Sequence, residues 1–302
     1  MKINQLKNLL NDFGEDVKFN FDLKKKNWFN IGGKSKVFFK AVNLKNLVNF
    51  LKKLNNQEKI FILGAGSNLL ITDNIFDGVV IKLGKDFNNI SCLNDDILIA
   101  GSGVLDKSLS EFAMNNNLSG FEFLSCIPGT IGGGIKMNAG CFGKEFKDIL
   151  LSVQAIDKSG NVITIPKKDI LFDYRKNNLS SDLIFLSASF KGKKSNSLKI
   201  KKEINMLKAK KNKNQPSKIK TSGSTFKNPI DQTKKKVWQL IEESVSLDKS
   251  FGDACISKKH CNFFVNKGNA SFKDMLQLIN FVSEKVLEKT GISLEKEIKI
   301  LE

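Results

Sequence analysis

The amino-acid sequence predicts an α+β protein of two domains. The chain has 302 residues, a length that divides naturally into two or more domains. Short apolar runs typical of strands are interspersed with segments that carry apolar residues at a spacing of three and four, which is typical of helices. A lysine-rich stretch begins near residue 193. We place the boundary there, between a first domain of residues 1–192 and a second of residues 193–302.

The first domain is predicted from a series of short elements. Its apolar patterns predict helices over 3–12, 43–54 and 105–114, and strands over 37–42, 60–63, 78–83, 97–100 and 183–190. The runs 151–156 and 162–165 flank Lys158-Ser-Gly-Asn161. Such polar, glycine-containing residues between two strand-like runs predict a β-hairpin.

The second domain is predicted to be smaller. Its patterns predict helices over 198–211, 234–245 and 271–289, and strands over 261–265 and 294–300. In the last strand, Leu294, Ile298 and Ile300 are expected to face one way, and Glu295, Glu297 and Lys299 the other.

The segment Cys126–Gly143 carries the strongest functional signal. It contains six of the 22 glycines of the chain. Each glycine loses more backbone freedom on folding than any other residue, so such density is expected where bare backbone must approach something closely. Backbone N–H groups of these turns, at the start of a short helix, form an anion-binding surface. With Thr130 and Asn138 interleaved, the segment predicts a phosphate-bearing ligand.

The common nucleotide-binding loops are absent from the sequence. The glycine spacing fits neither G-x-G-x-x-G nor G-x-x-x-x-G-K-[ST], and Leu69 and Asp106 stand where the third glycine of the first pattern would be. A simple Rossmann or P-loop protein is therefore disfavoured. Because it follows a predicted strand, Gly64-Ala-Gly-Ser-Asn68 is a second candidate loop for a phosphate or a ribose.

The high net charge of the chain does not by itself predict a nucleic-acid or membrane partner. A formal net charge of +18 is typical of proteins that bind nucleic acid or anionic membranes, but the 49 basic residues are 48 lysines and one arginine, Arg175. Nucleic-acid readers rely on the bidentate fork of arginine, so we expect neither partner. Tyr174 and His260 are likewise the single tyrosine and histidine. Where lysine serves everywhere else, one guanidinium indicates that a planar, permanent charge is required.

Several features predict a cytoplasmic protein without a metal site. No apolar run approaches the roughly 20 residues that span a bilayer, and the first residues lack the apolar segment of a signal peptide. The five cysteines include no C-x-x-C pair, which argues against a disulfide framework or a zinc site. We expect a monomer.

A set of motifs, each weak alone, occurs in a specific order along the chain. The motifs are Asn30-Ile-Gly-Gly33, Leu63-Gly-Ala-Gly-Ser-Asn-Leu69, Ile127-Pro-Gly-Thr-Ile-Gly-Gly133, Met137-Asn-Ala-Gly140, Tyr174-Arg175, Gly223-Ser-Thr-Phe-Lys-Asn-Pro229, Ser257-Lys-Lys-His260 and Leu294-Glu-Lys-Glu-Ile298. From about residue 25 to 301, the chain resembles the family of UDP-N-acetylenolpyruvoylglucosamine reductases, also called UDP-N-acetylmuramate dehydrogenases. With Tyr174 as its only tyrosine, it is similar to the shorter branch, which lacks an inserted tyrosine loop.

The resemblance implies a fold and a cofactor. It implies an FAD-binding module of the vanillyl-alcohol-oxidase (PCMH) type, in subdomains of about 1–84 and 85–192, followed by a smaller α+β substrate-binding domain. FAD would be held non-covalently by the following residues: Gly32, Gly33, Gly64, Ala65, Gly66, Ser67, Asn68, Leu69, Pro128, Gly129, Thr130, Gly132, Gly133, Asn138, Ala139 and Gly140. NADPH, the co-substrate, would reduce FAD and leave before the substrate binds.

The resemblance also implies a substrate and catalytic roles. UDP-N-acetylglucosamine enolpyruvate would be reduced to UDP-N-acetylmuramate, a step of peptidoglycan precursor synthesis. Arg175 would stabilise the developing dianion, Ser224 would donate the proton to the carbon beside the carboxylate, and Glu297 would assist. The expected substrate contacts are Tyr174, Lys227, Asn228 and His260.

Two other functions remain open from the sequence. A flavin oxidase of the same superfamily would tether FAD through a histidine or cysteine, and Cys126 and Cys141 keep that possibility. The lysine excess leaves a nucleic-acid or membrane-surface binder as a rival of another class. The chain also departs from the family pattern, with Gly134 where alanine is usual and an unusual sequence over 244–250.

Overall fold

The structure is a computed structural model that describes residues 3–54 and 58–302. In this part of the chain the α-helices are α1 (Ile3–Phe13), α2 (Leu44–Lys53), α3 (Asp106–Asn115), α4 (Ile131–Lys136), α5 (Ser197–Asn214), α6 (Val237–Ser244) and α7 (Phe272–Thr290). Among these residues, no helix is both long enough and apolar enough to span a bilayer.

The strands are short and follow one another closely. They are β1 (Val17–Asp22), β2 (Lys34–Ala41), β3 (Ile60–Ile62), β4 (Leu69–Ile71), β5 (Phe76–Leu83), β6 (Ile90–Leu93), β7 (Ile97–Gly101), β8 (Leu118–Ser119), β9 (Gly140–Cys141), β10 (Lys144–Glu145), β11 (Leu150–Ile156), β12 (Val162–Pro166), β13 (Phe172–Asp173), β14 (Lys176–Asn177), β15 (Ile184–Lys191), β16 (Lys193–Lys194), β17 (Ser250–Phe251), β18 (Ala254–Ile256), β19 (Phe264–Asn266) and β20 (Lys299–Leu301).

The chain divides into two units, and each is built from separate stretches of sequence. Unit 1 comprises Met1–Phe19, Val37–Ala65 and Asp77–Lys211, and unit 2 comprises Asn20–Lys36, Gly66–Phe76 and Asn212–Glu302. Unit 2 therefore recruits two short stretches from the first quarter of the sequence.

Unit 1 contains two larger sheets. A five-stranded antiparallel sheet has the order β12-β11-β15-β7-β6, and most of a four-stranded sheet of order β1-β2-β5-β3 also lies in this unit. The predicted hairpin is confirmed, because β11 pairs with β12 from Ile156 opposite Val162 outwards.

Apolar side chains hold each sheet against its helices. On the four-stranded sheet, Phe39 of β2 stacks on Phe50 of α2 with ring centroids 3.7 Å apart. On the five-stranded sheet, buried residues of β7, β11 and β15 share one core with Leu109 of α3 and Ile135 of α4. Burial of apolar surface on this scale is the main term that stabilises a domain.

Unit 2 is organised around α7. Ser271 and Asp274 form a reciprocal capping box at its start, and Gly291 ends it in the left-handed conformation with φ 72°. Its buried face packs against α6 and β18 in one core. That face comprises Met275, Leu278, Ile279, Val282 and Val286.

The predicted helices and most predicted strands are confirmed, with three corrections in unit 2. The helix predicted over 234–245 begins only at Val237, because Lys236 is its N-cap. The strand predicted over 261–265 begins only at Phe264. The strand predicted over 294–300 is confined to Lys299–Leu301.

The third correction has a structural cause. Residues 294–298 lie against the 225–228 stretch through isolated bonds rather than a ladder, and Phe226 and Lys296 form a single bridge. Leu294 and Ile298 are buried as predicted, at 8% and 3% exposure. Lys296, which alternation would place on the same face, is exposed, and Ile300 is only half-buried. The segment therefore lacks the alternating burial of a continuous strand.

Candidate functional site

In unit 1, the two loops that the sequence singles out adjoin. A Cβ atom placed on Gly64 would lie 2.9 Å from Thr130 Oγ1. Thr130 is the N-cap of α4 and accepts a hydrogen bond from Gly133 N at 3.4 Å. The loop after β3 and the glycine-rich segment, 66 residues apart in sequence, therefore meet at Gly64 and Thr130. This closeness fits a shared backbone surface for a phosphate-bearing cofactor.

The glycines of the segment Cys126–Gly143 fall into two kinds. A Cβ on Gly134 would lie 2.2 Å from the Phe146 ring, and one on Gly140 would lie 2.3 Å from Lys144 O, so both glycines are required by packing. Gly133 differs, because it is exposed and a Cβ there would meet only Thr130 Oγ1, at 3.5 Å. Of these three glycines, Gly133 is the one whose surroundings leave room for a ligand.

The remaining predicted residues of this segment vary in exposure. Pro128 is exposed, and Gly129 and Gly132 are half-buried. The carbonyl oxygen of Ala139 accepts a hydrogen bond from Phe146 N at 3.0 Å. A Cβ on Gly132 would touch Ser102 at 3.0 Å. These residues fit a cofactor through their backbones rather than their side chains.

Asn138 has a structural task within unit 1. It is fully buried, with a left-handed φ of 45°. Its Nδ2 donates to Glu145 Oε2 at 3.0 Å and to Asp173 O at 3.1 Å, and its Oδ1 accepts from Lys147 N at 3.1 Å. Both ends of this predicted cofactor-binding amide are thus engaged by the protein.

Arg175 and Tyr174 lie on the turn between β13 and β14. The Arg175 backbone is left-handed with φ 58°, an uncommon conformation for a residue other than glycine. Nη2 donates to Gly140 O at 3.0 Å, and the guanidinium carbon lies 5.0 Å from the Tyr174 ring centroid. The single arginine is therefore held against the end of the glycine-rich segment.

Two cysteines at the ends of that segment interact. The Cys141 thiol contacts Cys126, and this hydrogen bond lowers the pKa of Cys126 to about 6. The same contact, together with burial, raises the pKa of Cys141. Cys141 Sγ also lies 3.3 Å from Phe123 O, and Cys126 is 5% exposed. Both thiols are engaged within unit 1.

A buried carboxyl group lies directly beneath Gly129. Asp106, at the first position of α3, is 0% exposed, and a Cβ on Gly129 would lie 2.5 Å from its Oδ2. Neither carboxyl oxygen has a hydrogen-bond partner among the described residues. Burial therefore raises the pKa of Asp106 well above its usual range.

In unit 2, three stretches of chain converge on Glu297. The backbone N–H of Glu297 donates to Thr225 O at 2.8 Å, which brings Glu297 beside the residue that follows Ser224. Asn68 Nδ2 donates to Glu297 O at 3.0 Å. Ser222 Oγ donates to Leu69 O at 3.0 Å, which closes the triangle of stretches 66–69, 222–228 and 295–299.

Asn262 fixes the stretch that carries Ser224. It is 2% exposed, its Oδ1 accepts from Phe226 N at 3.0 Å, and its Nδ2 donates to Phe226 O at 2.9 Å. Its own carbonyl accepts from Thr225 N at 2.8 Å, and Ser224 forms an isolated bridge with Phe263. Ser224 is half-buried on this fixed backbone, and Gly223, with φ 79°, has open space at its Cβ position.

The predicted substrate contacts of unit 2 already have partners. Lys227 Nζ pairs with Glu295 Oε1 at 2.5 Å, and Asn228 Oδ1 accepts from Val237 N at 3.1 Å at the start of α6. His260 Nδ1 accepts from Asn262 N at 3.3 Å, and burial lowers the pKa of its ring. The neutral imidazole is thus partly satisfied by backbone.

The other predicted cofactor residues of unit 2 mark close backbone approaches. A Cβ on Gly33 would lie 2.2 Å from Asp73 O, one on Gly66 would lie 2.2 Å from Lys26 O, and one on Gly32 would lie 2.9 Å from Ile71 Cβ. Leu69 is buried and pairs with Lys299 in the β4–β20 ladder, while Ser67 is half-buried. Packing accounts for the first three glycines.

Two residues beside the predicted site residues were not predicted from the sequence: Asn262, whose side chain bonds the backbone of Phe226, and Glu145, whose Oε1 lies 4.0 Å from Arg175 Nη1. Neither belongs to a motif that the chemistry would have suggested. In the described part of the chain, no group of three or more histidine, cysteine or acidic side chains could hold a metal ion.

Two family models match the chain. The model described as an FAD binding domain matches residues 35–166. The model described as the C-terminal domain of UDP-N-acetylenolpyruvoylglucosamine reductase matches residues 215–301. Gly64, Thr130 and Gly133 fall in the first match, and Ser224 and Glu297 fall in the second.

Similar proteins carry the same name over the whole length. The UDP-N-acetylenolpyruvoylglucosamine reductase of Pelagibacter ubique (strain HTCC1062) is 65% identical over 301 residues, which cover 100% of each chain. That of Rickettsia bellii (strain RML369-C) is 48% identical, covering 92% of this chain and 91% of its own. The crystal structure of the reductase from Thermus caldophilus matches with a TM-score of 0.80 and 29% identity, over 95% of this chain and 98% of that one.

Proposed function

This chain belongs to the family of UDP-N-acetylenolpyruvoylglucosamine reductases, and we propose that Arg175, Ser224 and Glu297 carry the reduction that it catalyses. The enzyme is an FAD-dependent oxidoreductase that uses NADPH as reductant. It reduces the enolpyruvyl group of UDP-N-acetylglucosamine enolpyruvate to give UDP-N-acetylmuramate in peptidoglycan precursor synthesis, and so serves cell-wall biogenesis, cell shape and cell division. The FAD-binding module is of the vanillyl-alcohol-oxidase type.

We propose that backbone groups hold the cofactor. When bound, FAD would supply hydride transfer between NADPH and the terminal carbon of the enolpyruvyl double bond. The predicted holding residues are the loop from Gly64 to Leu69 and the segment from Pro128 to Gly140, with Gly32 and Gly33. The exposed backbone at Gly133 and the closeness of Gly64 to Thr130 favour this assignment. Backbone N–H groups of these loops would donate hydrogen bonds to the pyrophosphate oxygens and so stabilise their negative charge.

Arg175 is the proposed partner of the negative charge. Addition of a hydride to the terminal carbon leaves carbanion character beside the carboxylate, and that charge must spread onto the carboxylate oxygens. A guanidinium remains charged at any working pH and presents paired donors to two oxygens. It therefore lowers the energy of the dianion more than a mobile ammonium does.

Ser224 is the proposed proton donor, and Glu297 is its proposed assistant. A serine hydroxyl is a weak acid, but the dianion is a strong base. Proton transfer from the hydroxyl to the dianion is therefore favourable. The observation that favours this pair is the bond from Glu297 N to Thr225 O, at 2.8 Å, between the two stretches that carry them. The half-buried Tyr174, Lys227, Asn228 and His260 are the proposed substrate contacts.

The proposed division of labour follows the two family models. We propose that residues 1–192 bind FAD and that residues 193–302 bind the sugar nucleotide. The FAD-binding match over 35–166 and the C-terminal match over 215–301 each fall inside one of these ranges. We further propose a cytoplasmic monomer without nucleic-acid or membrane partners, to be tested by light scattering and by the salt dependence of DNA binding.

One experiment tests the assignment as a whole. Purified enzyme is reduced anaerobically with NADPH and then mixed with the enolpyruvyl sugar nucleotide. We expect NADPH to bleach the flavin absorbance and the sugar nucleotide to restore it. Acid precipitation should release the flavin into solution, since we propose non-covalent binding. Flavin retained in the precipitate would instead favour a tethered oxidase.

A further inference from the structure

Arg175 lies beside a carboxylate that no predicted role has used. Arg175 Nη1 is 4.0 Å from Glu145 Oε1, and the two side chains are only 17% and 20% exposed. Arg175 Nη2 donates to Gly140 O at 3.0 Å, and Gly140 is the partner of Glu145 across the β9–β10 pair. Both guanidinium contacts therefore fall on one short hairpin.

The other oxygen of Glu145 is held from two sides. Asn138, which is fully buried, donates to Oε2 at 3.0 Å and also to Asp173 O at 3.1 Å. Lys147 Nζ lies 2.7 Å from the same Oε2. With Oε2 occupied by these donors, the carboxylate presents Oε1 towards the guanidinium.

The backbone of Arg175 shows that its direction is set by its surroundings. Its φ of 58° is unfavourable for a residue with a Cβ, and such conformations persist where neighbouring contacts impose them. The amide of Asn138 joins the carboxylate to the carbonyl of Asp173, two residues before Arg175. The hairpin and the arginine turn are thereby tied into one network.

We propose that Glu145 is a positioning residue for the reduction, which orders the guanidinium of Arg175 before the dianion forms. The inference depends on the proposed role of Arg175 in the dianion's stabilisation. A long side chain that is ordered in advance loses little freedom when charge develops, and misplacement by about 1 Å can cost roughly a hundredfold in rate.

The first test measures the two half-reactions of Glu145→Gln, with rates expressed per bound flavin. We expect bleaching by NADPH at the wild-type rate and restoration by the enolpyruvyl sugar nucleotide about ten- to a hundredfold more slowly. Glu111→Gln is the matched control, since it makes the same substitution at an exposed position of unit 1 outside this network, and it should match wild type. Equal restoration rates in wild type and Glu145→Gln would overturn the inference.

The single arginine allows a direct structural measurement. In protein labelled with ¹⁵N-arginine, the guanidinium signals come from Arg175 alone. We expect the two Nη groups to be distinct in wild type and Glu111→Gln, and to merge by rotation in Glu145→Gln. If Glu145→Gln does not retain flavin, Glu145→Asp, which keeps the charge but shortens the reach, serves in its place. An arginine signal unchanged by either Glu145 variant would contradict the positioning role.

A double-mutant cycle separates this inference from the proposed function. If Glu145 acts through Arg175, then Glu145→Gln should slow restoration far less in an Arg175→Lys background than in wild type. The same slowing in both backgrounds would overturn the inference alone. Restoration at the wild-type rate in Arg175→Lys itself would overturn the role of Arg175, and with it the basis of the proposed function.

Discussion

The glycine-rich segment of unit 1 and the Ser222–Pro229 stretch of unit 2 build their sites in different ways. The first is continuous in sequence and offers mainly backbone, because Gly133 is exposed and bare. The second becomes a site only through contacts with residues 66–69 and 295–299, which are remote in sequence. Backbone suits a constant ligand such as a pyrophosphate, whereas side chains suit chemistry that needs a proton and a charge.

This difference predicts that variants in the two regions have separable effects. Side-chain variants in the second region should impair substrate reduction and leave flavin binding intact. Backbone variants in the first should impair flavin binding and leave the chemistry of the loaded enzyme intact. The following predictions test that separation.

The largest effect is expected for Ser224→Ala. Loss of the proposed proton donor should slow restoration of the flavin by substrate by roughly 10²–10⁴-fold, while NADPH still bleaches it at the wild-type rate. Single-turnover mixing of reduced enzyme with substrate measures this. Because Ser222 Oγ is already bonded to Leu69 O, Ser222→Ala serves as a control for loss of a hydroxyl in the same stretch. An unimpaired second half-reaction would remove Ser224 from the mechanism.

Arg175→Lys sharpens the comparison, because it changes a side chain that lies in unit 1. Lysine keeps the charge but lacks the planar fork, so we expect the transition state to rise by about 2–4 kcal/mol in the second half-reaction. Flavin content should stay at the wild-type level. If this variant turned over normally, the argument from the single arginine would fail.

Two neighbouring glycines distinguish cofactor binding from packing. Gly133→Ala places a methyl group at an ordinary contact distance of 3.5 Å from Thr130 Oγ1, so it should leave the melting temperature unchanged yet weaken FAD binding about tenfold or more. Gly134→Ala forces a methyl group to within 2.2 Å of Phe146 and should lower the unfolding free energy by about 1–3 kcal/mol. FAD titration and thermal unfolding of both variants test this distinction. Tight FAD binding by Gly133→Ala would contradict the proposed role of Gly133 in holding the cofactor.

The smallest effect on activity is expected for Asp106→Asn, which tests stability alone. Burial raises the pKa of Asp106, so the wild type loses stability as pH rises above about 3.9, where the unfolded carboxyl ionises and the folded one does not. Asparagine removes that loss. We expect Asp106→Asn to be more stable than wild type at pH 7 and equal to it at pH 3.

Thermal unfolding across this pH range is the measurement for Asp106. Asp231→Asn, which makes the same substitution at an exposed position of unit 2, is the control. A stability difference for Asp106→Asn that persists unchanged at pH 3 would show that ionisation is not its cause.

The sequence carried most of the fold and the motifs of the site, for identifiable reasons. The helix α7 was predictable because its apolar spacing is regular and its ends carry Ser271 and Gly291. The conformation of the segment 294–298 was not predictable, because single hydrogen bonds to residues 225–228 hold it instead of pairing with a strand. Alternation of apolar and charged residues cannot distinguish these two environments.

The support of the site was the least predictable part. Asn262 contacts Phe226, and Glu145 contacts Asn138 and Arg175. These contacts exist only in the folded chain. Glycine density was informative but overstated the cofactor surface, because Gly134 and Gly140 are explained by packing. The atoms that surround a glycine therefore distinguish glycines that can face a ligand from glycines required by packing. The sequence alone does not show those atoms.

The separation of the two regions is tested most directly by following the visible flavin absorbance of Ser224→Ala and Gly133→Ala through two successive anaerobic mixings. Each variant is first saturated with FAD, then reduced with NADPH, then mixed with the enolpyruvyl sugar nucleotide. We predict that Ser224→Ala stalls only at the last mixing, and that Gly133→Ala needs more FAD for loading but then completes both steps at wild-type rates. Normal restoration by Ser224→Ala, together with slow restoration by fully loaded Gly133→Ala, would contradict the account.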